Sequence, residues 1–177
     1  MNRESLKLYK LMIMYMLDNL PFPLTTSQLS EFIVANKYTS YFQLQQSINE
    51  LVEGSYIWTE TVRNTSRFHL SESGRETLSL LGNIIPDTIK NDILSYLDEN
   101  KYKLREEADI IADFFPAKNG EYTVMTQIRE NDSILLELNI NVVSRDQAVA
   151  ICDRWAEKSN DIYQMLIKAL LIDEPEE

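Results

Sequence analysis

Reactive side chains are scarce in this chain. Its 177 residues include one cysteine, Cys152, and one histidine, His69. A lone cysteine excludes an internal disulfide framework and suits a reducing compartment. Neither residue has a recognisable partner, and no zinc-ligand spacing, phosphate-cradling glycine loop or nucleophile elbow occurs. The sequence thus offers no catalytic residue, metal ligand or cofactor motif, and an enzyme is not expected. His69 is expected to serve surface or strand pairing, and Cys152 to be a small buried thiol.

Glycine and proline are also few, at four and five. A sandwich or barrel needs more turns than these provide, so a helix-rich α+β protein is expected. Long apolar runs are missing too. The longest notable one, Leu11–Leu17, stops at Asp18 and is too short to span a bilayer. No small-residue cleavage site follows it, which points to a cytosolic protein without membrane contact.

Basic residues are the last shortage: 17 Lys and Arg against 28 Asp and Glu give a net charge of −11. That balance argues against a nucleic-acid partner, because phosphate contacts need cations. The deficit is uneven, however. Residues 1–82 carry seven basic and eight acidic groups, whereas 83–177 carry ten and twenty. This step, beside Gly82, Asn83 and Pro86, predicts a boundary between domains 1–82 and 83–177.

Periodicity supplies the elements. Leu6, Tyr9, Ile13, Met16, Leu17 and Leu20 mark a first helix. Met12, Met14 and Tyr15 make its middle apolar all round, as in a central core helix or one that also meets a second subunit or domain. Pro21 and Pro23 end it. Thr25 with Gln28 forms a capping box for a short helix carrying Leu29, Phe32 and Ile33 inward. Thr39 or Ser40 caps the next, with Gln43 completing a box from Ser40; Tyr41, Leu44, Ile48, Leu51 and Val52 face inward, and Gly54 is a left-handed cap. The period then changes to two over Tyr56–Val62 and Arg67–Leu70, joined by a turn at 63–66.

The second half predicts an α-β-β-β-α domain. A helix from Ile85 to about Lys103, with Ile89, Ile93, Leu94 and Leu97 inward, precedes strands at 108–115, 121–129 and 133–142. Their loops, at 116–120 and 130–132, are hairpin-like, and alternation along the strands predicts a half-covered antiparallel sheet. A long last helix starts at Ser144. Its stripe of Ala148, Cys152, Trp155, Ser159, Ile162, Leu166 and Ala169 steps by fours and threes. The tail 173–177 reads as solvated.

The segment Phe68-His69-Leu70-Ser71-Glu72-Ser73-Gly74 before a Leu-containing helix resembles the wing end of bacterial winged-helix regulators of the PadR and MarR type. Leu70 would close the core, Ser71 would cap, and Gly74 would allow close packing. Segments 24–29 and 45–51 fit the second and third helices of those families. Across nearly its whole length the chain also resembles an uncharacterised family of Gram-positive bacteria, a domain of unknown function. Phe22-Pro23-Leu24-Thr25, Glu99-Asn100-Lys101-Tyr102 and Gly120-Glu121-Tyr122-Thr123-Val124 carry that likeness. It implies a winged helix with an α+β partner domain and brings no activity.

A helix-turn-helix reader enters the major groove with its second helix, N-terminal residues nearest the bases. That assigns Thr39, Ser40, Gln43 and Gln46 to double-stranded DNA, with Gln45 and Asn49 flanking. Lys37 and Tyr38 in the preceding turn would meet the backbone. Arg63, Asn64 and Arg67 of the wing would reach a minor groove or its phosphates. The expected function is a homodimeric transcriptional regulator that represses by covering a promoter. The alternative is a protein-protein adaptor, which the absence of Lys and Arg from the recognition helix favours. Phe114, Phe115, Tyr122, Trp155 and Tyr163 would form either a core or the pocket of an unnamed small-molecule effector.

Overall fold

A computed structural model describes residues 3–130 and 133–171. The expected tail at 173–177 and residues 131–132 of the 130–132 loop lie outside them. Among the described residues the chain is mixed α+β, with six α-helices and two three-stranded antiparallel sheets. It divides into two compact units, 1–108 and 109–177.

The first unit is built round α1 (Arg3–Asp18). Leu11, Met12, Ile13, Met14, Met16 and Leu17 are all buried, and α3, α4 and β3 of the same unit pack against the helix. The all-round apolar middle is therefore consumed inside its own unit. Next come β1 (Leu24–Thr25) and α2 (Thr26–Ile33). The Thr25 hydroxyl accepts from Gln28 N while Gln28 Oε1 accepts from Thr25 N, completing the box.

Helix α3 (Tyr41–Glu53) is capped by Ser40, and it buries Leu44, Ser47, Ile48 and Leu51. Tyr41 and Val52, expected inward, are exposed. Both α2 and α3 close with the paired hydrogen bonds of a Schellman motif: Tyr38 N to Ile33 O with Lys37 N to Val34 O, and Tyr56 N to Leu51 O with Ser55 N to Val52 O. The left-handed residues are Lys37 (φ 61°) and Ser55 (φ 58°), so the cap expected at Gly54 falls one residue later. Gly54 itself has φ −79° and makes room for the Tyr56 ring, 2.6 Å from where a Cβ would stand.

Strands β2 (Ile57–Val62) and β3 (Thr65–Leu70) form a hairpin, and β1 pairs with the other side of β3. Arg63 (φ 47°) and Asn64 (φ 60°) make a two-residue turn with both residues left-handed, the primed geometry that fits strand twist. The turn is thus shorter than the expected 63–66. Ser71 caps α4 (Glu72–Leu81), accepting from Gly74 N.

Helix α5 (Asp87–Asp109), expected to open the second domain, packs with the first unit. Its inner residues Ile93, Leu97, Leu104 and Ala108 join the same core as α1, while Leu94 is exposed. Polar contacts add to this attachment: Tyr38 to Asp92, Gln28 to Glu107, and Lys103 to Glu31. The contact boundary falls at the end of this helix, after residue 108, and most of the acidity lies beyond it.

The second unit is β4 (Ile110–Pro116), β5 (Tyr122–Glu130), β6 (Ser133–Val142) and α6 (Arg145–Leu171), with strand order β4-β5-β6. The strands agree with the periodicity to within two residues. Alternation divides the sheet: Ala112, Val124 and Ile128 pack on Ala148, Cys152 and Trp155, while Thr123, Gln127, Asn139 and Asn141 take the other parity. A register shift after Ile128 interrupts the β5–β6 ladder. Trp155 Nε1 donates to Gln127 O at 3.1 Å. Phe114 and Tyr122 meet edge to face at 6.0 Å, and Tyr163 packs on the same cluster. These aromatics, with half-exposed Phe115 apart, fill the layer between sheet and helix. The helical stripe stays buried only as far as Ser159; Met165, Leu170 and Leu171 are exposed.

Candidate nucleic-acid interface

Two turns bracket α3, and both present a cation. Lys37 is exposed at the left-handed position before the helix, and Arg63 is exposed at the hairpin tip. Between the hairpin tip and α2, ahead of the start of α3, runs an open groove of about 720 Å³. Tyr41 and Asn64 flank it, with Thr25, Thr26, Ser27, Ser30 and Ser66 along it. Hydroxyls of this kind bond phosphate oxygens. Glu31 also lines the groove, and Lys103 Nζ approaches it at 3.4 Å.

The expected contact residues separate into two groups. Thr39 donates to Gln43 Oε1 at 2.6 Å, and Ser40 Oγ accepts from Gln43 N, so both hydroxyls serve the start of α3. Gln45 Nε2 donates to Tyr41 Oη at 2.9 Å. Gln46 Nε2 donates to Glu50 Oε1, whose other oxygen takes Lys10 Nζ at 2.9 Å. Lys10, and then Gln46, hold the Glu50 carboxyl below the usual glutamate range. Asn49 is exposed, and its side chain makes no hydrogen bond among the described residues.

Two of the expected contact residues have partners on α5. The Tyr38 hydroxyl donates to Asp92 Oδ2 at 2.6 Å and its ring packs on Phe32, so it braces the turn against α5. Burial, followed by the Asp92 carboxylate, pushes Tyr38 up to about 12. Arg67 lies mid-strand, and its guanidinium reaches the end of α5, donating to Glu107 O and Ala108 O at 2.9 and 3.0 Å. Carbonyls at a helix C-terminus lack intrahelical partners and carry partial negative charge, which accounts for this attachment. Arg67 is a helix clamp.

Sequence reasoning missed Phe42, which is 74% exposed, the groove hydroxyls and Trp58. The hydroxyl run 25–30 was visible, but nothing in it announces the hairpin tip opposite. Phe42 was legible by helical phase, since it lies two residues from buried Leu44 and so on the far side. Trp58 stacks on His69 at 3.9 Å, and His69 Nε2 stands 3.3 Å from Glu60 Oε2. That places the histidine in a cross-strand cluster. No group of three or more potential metal ligands occurs among the described residues, and no described helix is long and apolar enough to cross a membrane.

The fold and this site define an α+β protein whose first unit offers a polar helix, a hairpin tip and a hydroxyl-lined groove. The chain belongs to the DUF4364 family, a domain of unknown function matched over residues 9–170. Comparison with curated proteins and with solved structures gave no match.

Proposed function

We propose that the first unit is a winged helix-turn-helix and that the protein is a cytoplasmic, DNA-binding transcriptional regulator acting as a dimer. In this reading α3 enters the major groove, the 63–64 tip meets the adjacent backbone, and the hydroxyl-lined groove holds phosphates. One observation carries it. Two exposed cations, Lys37 in the turn before α3 and Arg63 at the hairpin tip, stand at the two turns that would flank a helix entering the groove of DNA.

Dimerisation is part of the proposal because two cations per subunit give weak affinity alone. With α1 consumed in its own unit, the exposed apolar end of α6 at Met165, Leu170 and Leu171 favours pairing through the second unit. Repression would follow from covering a promoter.

The rival reading is a protein-binding adaptor. It is favoured by the exposed Phe42 and Trp58 and by an α3 without Lys or Arg. The test is low-salt binding to the gene's own upstream duplex against a scrambled one. Preferential binding that Arg63→Ala weakens supports the regulator. Equal affinity of wild type and Arg63→Ala, or no binding, moves the protein to the adaptor class.

A further inference from the structure

We infer that Phe42 and Asn49 form the base-reading line of α3, Phe42 against a thymine methyl and Asn49 on an adenine about three base pairs away. This rests on the DNA-binding reading and adds what is read. The inward face of α3 is Leu44, Ser47, Ile48 and Leu51. The Ser40 hydroxyl serves the cap, and Gln43 Oε1 accepts from Thr39, Gln45 Nε2 donates to Tyr41 and Gln46 Nε2 donates to Glu50. Glu50 is paired with Lys10.

Phe42 and Asn49 differ from these. The Phe42 ring is 74% exposed at the second residue of the helix, so it contributes little to the core. Among the described residues the Asn49 amide has no hydrogen-bond partner. Seven residues are close to two full turns, so the two share one face, about 10.5 Å apart along the axis. Three base-pair steps span about 10 Å.

The chemistry at each end is complementary to one base pair type. A major-groove thymine presents a methyl group that an aromatic ring can cover, and adenine N6 and N7 match a carboxamide. The line carries no charge between its ends. Glu53 follows one turn beyond Asn49, towards the end of a reading helix that leaves the bases.

The experiment is selection of bound duplexes from a random pool by the full chain, as wild type, Phe42→Ala and Asn49→Ala. Because both side chains are exposed, each variant should keep the wild-type melting temperature. Wild type should enrich an A·T pair at two positions about three base pairs apart. Replacing the selected thymine by deoxyuridine, which lacks the methyl, should weaken wild type about four-fold and leave Phe42→Ala unchanged. Asn49→Ala should relax choice at the other position alone. A selected site with no sensitivity to the methyl, or equal sensitivity in Phe42→Ala, overturns the proposal while DNA binding stands. Recovery of no duplex by wild type overturns both.

Discussion

Gly74 has no room for a side chain. A Cβ there would stand 2.1 Å from Tyr56 O and 2.7 Å from Leu70 Cδ1, where backbone and core cannot both give way. Gly74→Ala should therefore destabilise the first unit by about 2 kcal/mol, read by chemical denaturation. Lys37 presents the opposite case. Glycine at this left-handed position would remove steric strain, offset in part by the greater freedom of the unfolded chain. Lys37→Gly should stabilise by about 0.5 kcal/mol and, in the proposed function, weaken DNA binding at the same time. Tyr38 gives a pH signature. Its folded value is raised to about 12 from 10.0, so its contribution is complete below pH 10 and lost as pH rises towards 12. Unfolding measured across that range should depend less steeply on pH in Tyr38→Phe than in wild type.

At the scale of elements, α5 shows where local sequence signals stop. Its helical period is plain, and so were the caps at Thr25, Ser40, Ser71 and Ser144, because each is settled within four residues. Which core receives the helix depends on partners far along the chain, Glu31, Tyr38 and Arg67 among them. No periodicity encodes such pairings. The same limit applied to the interface: Lys37 and Arg63 were legible as turn residues, whereas an arginine two positions into β3 looks alike whether it meets phosphate or a helix end. Arg67→Ala should cost about 2 kcal/mol of stability, from lost hydrogen bonds of a charged donor to α5, with the salt dependence of DNA binding unchanged. Arg63→Ala should instead flatten the salt dependence.

At the scale of the whole molecule, the first unit is defined by a core that closes only with α5. Burying Ile93, Leu97 and Leu104 contributes roughly 5–9 kcal/mol, comparable with the net stability of a domain. A fragment of residues 1–108 should melt cooperatively, whereas 1–82 should show no cooperative transition by circular dichroism. The charge step is shared unequally across the contact boundary: 83–108 carries four basic and six acidic groups, and 109–177 six and fourteen.

The central claim, DNA binding by a dimer through Lys37 and Arg63, is tested most directly by the salt dependence of affinity for a selected duplex. Two subunits with two phosphate contacts each should give a slope of log K against log salt near −3.6. Arg63→Ala should bring it to about −1.8. Affinity that does not change with salt, or a slope that Arg63→Ala leaves as steep, would contradict the account.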